Sequence, residues 1–263
     1  MKKSVHTFVV LAYKESEYLE ECIKSVLNQK YKSEVVIATS TPNKYISKLA
    51  KKYELKIIEN KGKKGIGADF DFAISCCKTE LVTIAHQDDI YDFNYSDEIV
   101  KKYKKNKNSL IIFSDYYEIK KNNNVYKNTN LKIKRILSFP LRFSSKNRFS
   151  KRFCLRFGNS ICCPAVTFNK NKVSLPIFDY PMKCNIDWHA WETLSKKKGS
   201  FLFINKKLMG HRVHEESTTT EIINDNIRTK EDVEILKRFW PKYIAKLIAK
   251  IYKNSEKSNN KID

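Results

Sequence analysis

Short apolar, β-branched runs alternating with helical stripes constrain this chain more than any other feature. Residues 5–12 read Val-His-Thr-Phe-Val-Val-Leu-Ala, the pattern of a strand buried on both faces. Over residues 16–29, Tyr18, Leu19, Cys22, Ile23, Val26 and Leu27 fall on one helical face, with Ser16 as the expected N-cap. The strand signal returns at 34–38, 55–58 and 81–85. Helices are expected from Ser40-Thr41-Pro42 to residue 53 and over 68–77, after a loop holding Gly62, Gly65 and Gly67. This alternation predicts an α/β protein built on a mainly parallel sheet. Ligands of such sheets bind beyond the carboxyl ends of the strands. Tyr13-Lys14-Glu15, Thr39-Ser40 and His86-Gln87-Asp88-Asp89 stand at those ends and are expected to line one cleft.

The second half is less regular. A strand is expected over 110–114, ending at Asp115, with further strand signals at 161–168 and 201–204. Residues 186–196 read as a helix carrying Trp188, Trp191 and Leu194, stopped by Gly199. Residues 208–220 read as a polar loop around His211-Arg212-Val213-His214. From 231 to 252 a last helix is expected to set Leu236, Trp240, Tyr243, Leu247 and Ile251 on one stripe. Lys237, Lys242, Lys246, Lys250 and Lys253 occupy its other face, and Pro241 kinks or splits it.

The 263 residues carry 51 Lys+Arg against 29 Asp+Glu, a formal charge of +22. Such a charge invites a nucleic-acid partner, yet only eight of the basic residues are Arg, the side chain suited to bidentate contacts with bases and phosphates. The charge is also local. Residues 101–156 hold 17 Lys/Arg and two acids, Asp115 and Glu118; within them, 132–156 hold nine Lys/Arg and no acid, interleaved with Phe139, Phe143, Phe149 and Phe153. Basic side chains mixed with aromatics suit an anionic membrane leaflet, so the expected partner is such a surface and not nucleic acid. No apolar run approaches the roughly 20 residues of a membrane span, and no signal-peptide stretch follows Met1-Lys2-Lys3. Seven cysteines, with Cys76-Cys77 and Cys162-Cys163 adjacent, read as reduced thiols. The expected location is the cytoplasm, peripheral to the inner face of the plasma membrane.

Asp88 and Asp89 follow a strand end, where carboxylates suit a hard divalent cation bridging a diphosphate. Adjacent acids after a strand also occur as a plain solvated turn. Asp187, just before Trp188, equally suits a helix N-cap.

Several stretches in order resemble glycosyltransferase family 2. Val10-Leu11-Ala12-Tyr13-Lys14-Glu15 followed by Tyr18-Leu19-Glu20-Glu21-Cys22-Ile23-Lys24-Ser25-Val26-Leu27-Asn28-Gln29 resembles the opening of that family. The Gly65-Ile66-Gly67-Ala68 loop and His86-Gln87-Asp88-Asp89-Ile90-Tyr91 are similar to its later landmarks. Asp187-Trp188 and Gly210-His211-Arg212-Val213-His214 resemble its acceptor-side acid and its closing Arg-x-His loop. The resemblance covers roughly residues 5–220 and implies a GT-A type, Rossmann-like mixed sheet flanked by helices, here with a C-terminal helical extension. It implies a nucleotide-sugar half over 1–115, an acceptor half over 116–220 with a basic insertion at 120–156, and an amphipathic basic extension over 221–263.

The resemblance also implies roles. Asp88 matches the family's metal-binding Asp, with Asp89 and His214 as further ligands for Mn²⁺ or Mg²⁺, while His86 replaces the family's first acid. Ala38-Thr39-Ser40-Thr41 stands where the family has acids, so donor-base contacts pass to Thr39 or Ser40, with Asp69 across the cleft. Ala12, Tyr13, Glu15, Gly65, His86, Gln87 and Arg212 complete the implied donor site, and Asp187 is the implied general base. The expected activity is inverting transfer of a hexose from a nucleoside-diphosphate sugar, a UDP-sugar, to a hydroxyl of a cell-surface glycan or lipid-linked acceptor. The competing expectation is a catalytically inactive basic α/β module that binds membrane or nucleic acid.

Overall fold

In the computed structural model, residues 4–213 and 227–259 are described, with side chains as far as residue 251. Among them, nine strands form one sheet: β1 (His6–Ala12), β2 (Glu34–Thr39), β3 (Lys56–Glu59), β4 (Leu81–His86), β5 (Ile90–Tyr91), β6 (Ser109–Lys120), β7 (Asn123–Val125), β8 (Val166–Asn169) and β9 (Ser200–Val213). The order is β3-β2-β1-β4-β8-β6-β9-β5, with β7 paired to β6. The first four strands are parallel; β8 enters antiparallel between β4 and β6, and β9 again runs parallel to β6. The helices are α1 (Leu19–Leu27), α2 (Lys44–Lys52), α3 (Ile66–Ser75), α4 (Tyr95–Lys105), α5 (Thr129–Ser138), α6 (Arg148–Phe153), α7 (Ile186–Ser195), α8 (Ile227–Leu236) and α9 (Lys242–Asn259).

Both faces of the sheet are covered, as continuous apolar strands require. Along β1, Phe8 and Val10 point into a core with Ile23, Ile37, Tyr95 and Ile99, while Val9 points into the opposite core with Ile84, Phe168, Trp188 and Trp191. The period of two explains the split. Register then sets the functional edge. Ala12 lies beside Thr39, Leu11 beside both Ala38 and His86, and Thr39 beside Glu59, so the carboxyl ends of β1 to β4 finish at one level.

Several expected boundaries move for identifiable reasons. Ser16 does not cap α1. Its hydroxyl accepts from the Tyr18 N–H at 3.3 Å, opening a turn, and the helix starts at Leu19. Asn43 caps α2, its side chain accepting from the Ile46 N–H at 2.8 Å, so that helix begins later than Ser40-Thr41-Pro42 suggested. β6 runs through Asp115 to Lys120, across the point where the two halves were expected to divide, so both halves share one sheet. Residues 208–213, expected as loop, are the far end of β9. Polar Lys206 and Lys207 interrupt the apolar pattern there, and register shifts against β6 between Ser114 and Tyr117 bend the ribbon. Gly210 permits the approach, since a Cβ at that position would stand 2.7 Å from the Tyr117 ring.

The expected C-terminal helix is two helices. Pro241 supplies no N–H and clashes with a preceding turn, so α8 stops at Leu236 and α9 starts at Lys242. The break changes the phase of the apolar stripe. Leu236, Ala245 and Ala249 pack into the core, whereas Tyr243, Leu247 and Ile251 are 74%, 58% and 62% exposed. No described helix is long and apolar enough to cross a membrane. All seven cysteines are free thiols.

Candidate active site

The turn from β4 to β5 carries His86, Asp88 and Asp89, whose nearest ligand atoms all lie within 4.8 Å of one another. Each is held from behind. The His86 ring stacks on Phe70 at 5.2 Å, and its carbonyl accepts from the Cys22 thiol. β5 pairs Ile90 with Gly210, which brings the end of β9 against the turn. Asp89, fully buried, accepts at Oδ1 from the Arg212 backbone N–H at 2.9 Å and faces His211 Nδ1 at 3.0 Å. Burial alone would pull the His211 pKa down, but the Asp89 and Asp88 charges outweigh it and the net shift is upward.

Among the described residues, two ligand atoms of this turn, His86 Nε2 and Asp89 Oδ2, are buried and have no hydrogen-bond partner. An orphaned imidazole nitrogen beside an orphaned carboxylate oxygen is costly in a protein interior unless a further group satisfies both. Imidazole and carboxylate are the donor set of a Mn²⁺-type or Mg²⁺-type divalent ion, so the residues present fit one.

Arg212, expected on a loop over the diphosphate, lies in β9 with its guanidinium committed inside the protein. Nε donates to the Asp88 carbonyl at 3.0 Å, a terminal nitrogen pairs with Glu21 at 2.6 Å, and the group stacks 4.3 Å over Tyr18. It braces the turn from below. His214 lies outside the described residues.

The strand-end edge gathers the other expected donor residues. Ala12 and Thr39 are buried neighbours on β1 and β2, and the Thr39 hydroxyl accepts from the Thr41 N–H. The Gln87 amide clamps the exit of β1, accepting from the Tyr13 N–H at 2.8 Å and donating to its carbonyl at 3.0 Å, so Gln87 shapes the rim with both ends of its amide. Tyr13 and Glu15 are exposed on that rim. Asp69 is buried on α3, accepting from the Ser40 hydroxyl at 2.9 Å and the Asn60 amide at 2.7 Å. Asp69, expected across the cleft from Ser40, is bonded directly to it; Asn60 joins them without having been singled out, although its place just past β3 on the strand-end edge is a signal. Gly65 enters α3 at φ 119, in the glycine-favoured region, and Gly67 has Phe178 O only 2.6 Å from where a Cβ would sit.

Asp187 is the second residue of α7. Asn185 occupies the cap position, so the plain N-cap reading of Asp187 does not hold. Its Oδ1 accepts from the Trp188 N–H and its Oδ2 from the Asn159 amide, each at 2.7 Å. Burial pushes its pKa up, against the hydrogen bonds and the positive charge of Lys134. The loop before it is anchored by α8: the Glu231 carboxylate accepts from the backbone N–H groups of Lys183, Cys184 and Asn185 at 2.7, 2.9 and 3.0 Å. Asn185 in turn donates to buried Asp232 at 2.8 Å. Nothing in the sequence marks Glu231, because its partners are backbone groups about 46 positions earlier.

The two acidic centres share one neighbourhood. The charges of both Asp89 and Asp187 act on the Cys162 and Cys163 thiols, whose pKa values burial already drives upward. Fully buried Asp89 on the β4–β5 turn and half-buried Asp187 near the N-terminus of α7 thus both lie close to the Cys162-Cys163 pair.

Comparison with known proteins agrees with this geometry. A curated uncharacterized glycosyltransferase of Rickettsia typhi is 24% identical over 249 residues, covering 92% of this chain and 72% of that protein. Another, from Methanocaldococcus jannaschii, is 28% identical over 135 residues, 48% of this chain and 47% of its own length. Among solved structures, S. aureus TarS 1–349 in complex with UDP-GlcNAc superposes with a TM-score of 0.58 at 14% identity, covering 94% of this chain and 70% of that one. The mannosyltransferase PcManGT from Pyrobaculum calidifontis, in complex with GDP-Man and Mn²⁺, gives 0.63 at 13% identity, with 95% and 69% covered. The sheet order and these likenesses identify the fold as GT-A. A family model described as glycosyl transferase family 2 matches residues 7–175, which hold the whole strand-end edge and the His86–Asp89 turn, and the chain belongs to that family of glycosyltransferases.

Proposed function

We propose that this glycosyltransferase is an inverting, metal-assisted enzyme that moves a hexose from a nucleoside-diphosphate sugar, foremost a UDP-sugar, to a hydroxyl of a cell-surface glycan or lipid-linked acceptor. The observation that carries this reading is the pair of buried atoms His86 Nε2 and Asp89 Oδ2, unpartnered among the described residues and set at the strand-end edge in the same neighbourhood as Asp187. The ligands of the two neighbours, UDP-GlcNAc in one and GDP-Man with Mn²⁺ in the other, support a nucleotide-sugar donor and a divalent ion. His86, Asp88 and Asp89 would hold the ion, with His214 as a further ligand. When bound, it supplies positive charge against the departing diphosphate. A histidine in place of an acid favours Mn²⁺ over Mg²⁺.

The nucleoside is assigned to the edge formed by Ala12, Thr39, Ser40, Gly65 and Asp69, with Tyr13 and Glu15 at its rim. Asp187 accepts the proton of the acceptor hydroxyl as that oxygen bonds to the anomeric carbon. On the opposite face the bond from that carbon to the diphosphate oxygen breaks, and its electron pair leaves with the diphosphate. Residues 1–220 are assigned as the catalytic unit and 221–263 as its helical extension.

Thermal unfolding with Mn²⁺ and UDP, GDP or dTDP tests the donor half of this proposal. A ligand at a hundred times its Kd adds about 2.7 kcal/mol, so at least one nucleotide should raise Tm by about 5 °C or more, and chelation should remove the rise. No shift with any nucleotide would favour the inactive basic module instead.

The same reading places the protein at an anionic leaflet. Phe139, Phe143 and Phe149 are exposed within the basic 132–156 stretch, and Tyr243, Leu247 and Ile251 are exposed among Lys242, Lys246 and Lys250. Each Lys or Arg near such a surface contributes about 1 kcal/mol. The protein should sediment with phosphatidylglycerol vesicles at low salt, be released by high salt, and ignore phosphatidylcholine vesicles. Equal binding to both lipids, or to neither, would remove the membrane from the proposal.

A further inference from the structure

We infer that Lys134 forms an anion-binding subsite on the acceptor side, taking a phosphate or carboxylate that the acceptor carries near the hydroxyl to be glycosylated. The inference rests on the reading of Asp187 as the acceptor-facing base, and it adds a chemical class of acceptor to that reading. Its starting point is a contrast within α5. The helix is capped by Asn128, whose side chain accepts from the Leu131 N–H and donates to Glu118, each at 2.8 Å. One turn on, Arg135 is neutralised: Nε meets Asp115 at 2.7 Å, and a terminal nitrogen bonds the carbonyls of Tyr116 and Tyr126. These contacts bolt α5 to β6 and fix the direction of its neighbour.

That neighbour is Lys134. Its ammonium donates to the Tyr116 hydroxyl at 2.8 Å and lies 5.4 Å from the centre of the same ring. Tyr116 is buried, and burial drives its phenol pKa well upward, so this partner orients the lysine without cancelling its charge. No carboxylate lies within ion-pair distance of Lys134 among the described residues, whereas Arg135, Arg152 and Arg238 each meet one. A half-buried ammonium with a fixed direction and no counter-ion is poised for an external anion.

Its position says whose anion. The Tyr116 ring that Lys134 touches stands edge-on to the His211 ring with centres 6.2 Å apart, and His211 meets Asp89 at 3.0 Å; on the other side, Ser138 of α5 bonds Ser160 at 3.2 Å, next to the Asn159 that holds Asp187 at 2.7 Å. Lys134 therefore lies near both acidic centres. The Asp187 carboxylate, held by the Trp188 N–H and the Asn159 amide, forms no ion pair with Lys134 among the described residues. The donor diphosphate belongs to the His86–Asp89 turn, so a second anionic group on the Asp187 side is assigned to the acceptor. The surrounding stretch, nine Lys/Arg without an acid over 132–156, raises the local concentration of an acidic acceptor.

The test titrates the full-length protein at low salt with glycerol 1-phosphate, glycerate and glycerol, followed by NMR, and separately with UDP and Mn²⁺. Wild type should bind the two anions and not glycerol. Lys134→Met should weaken the anions about tenfold or more, in line with loss of a charge-assisted hydrogen bond, leave UDP–Mn²⁺ affinity unchanged, and Lys134→Arg should keep most of the anion binding. Weakened UDP–Mn²⁺ binding in Lys134→Met would overturn the inference by assigning the lysine to the donor diphosphate. Absence of anion binding by wild type, or equal binding by Lys134→Met, would overturn it as well. In those last two cases normal UDP–Mn²⁺ binding would leave the transferase reading standing, whereas its loss in wild type would remove both.

Discussion

Asp187→Asn lowers the turnover of glycosyl transfer by about 10²–10⁴-fold, the contribution of a positioned general base, and leaves nucleotide affinity within twofold of wild type. The substitution keeps the shape and removes the proton-accepting charge. Folding should be spared. Burial disfavours the ionised carboxylate, as its raised pKa records, so a neutral amide relieves that cost. Against this, the new amide meets a donor at Asn159, which now donates to Asp187 Oδ2. The two effects oppose and Tm should move little. The pH dependence follows with a definite sign. Only deprotonated Asp187 can accept a proton, so turnover falls as pH drops through a pKa that lies above the ordinary 3.8, while activity is full well above it. The same upward shift makes ionisation of Asp187 a cost to the folded state, present above the folded pKa and relieved as pH falls below it. Near-normal transfer by Asp187→Asn in a nucleotide-binding preparation would take the base role away from this residue.

Chelation of divalent ions, or Asp88→Asn, should reduce transfer by about 10²–10³-fold and abolish the nucleotide-dependent rise in Tm, since several kcal/mol of charge stabilisation on the leaving diphosphate is lost. Mn²⁺ should restore the chelated wild type and not Asp88→Asn. Asp88 is the better variant than Asp89 for a structural reason. Asp89 is fully buried, and its Oδ1 serves both the Arg212 N–H and His211. Removing it leaves a buried donor unpaired at about 1–3 kcal/mol and releases the strand end that carries Arg212. A loss of activity in an Asp89 variant would thus mix metal binding with folding. Undiminished transfer in exhaustively chelated protein would exclude an essential ion.

The arrangement explains why a site of this kind tolerates so much burial. The turn bearing His86, Asp88 and Asp89 is supported by elements distant in sequence: α1 through Cys22 and Glu21, α3 through Phe70, and β9 through His211 and Arg212. Asp187 is supported as firmly, by Asn159 at its oxygen and by Glu231 through the three N–H groups before its helix. α7 is also held farther along, where fully buried Glu192 meets Arg152 at 2.5 Å, Lys196 at 2.8 Å and Arg238 at 3.1 Å. α8 and the turn after it thus grip the helix that carries the candidate base, from positions beyond the stretch that the family model matches.

The whole-chain charge of +22 also takes on a more definite meaning. Much of it is distributed over exposed lysines, but within the basic insertion the roles separate. Arg135 and Arg152 are spent on internal acids, and Lys151 turns inward to the carbonyls of Lys197 and Gly199. Among the described residues, Lys134 alone of these four meets no acid or backbone carbonyl, only the Tyr116 hydroxyl. A count of charges cannot separate these cases, because each depends on what lies across the packing interface.

The amino-acid sequence by itself determined the alternation of β1 to β4 with their helices, the edge at which Ala12, Thr39 and His86 end, and the acids of the Asp88-Asp89 turn. Those features rest on local signals: β-branched runs, period-two burial and glycine at the entry to α3. The tertiary structure decided what local patterns cannot encode. It made a strand of residues 208–213, because β6 and β5 supply partners for backbone groups that polar side chains had marked as loop. It set His211 and Arg212 on Asp89 across 122 and 123 positions of chain. It also turned Tyr243, Leu247 and Ile251 outward once Pro241 had reset the helical phase, and set Lys134 on the Tyr116 hydroxyl with no acid beside it among the described residues. In each case the deciding energy comes from pairing and burial between segments far apart in sequence, which exists only after the chain has folded.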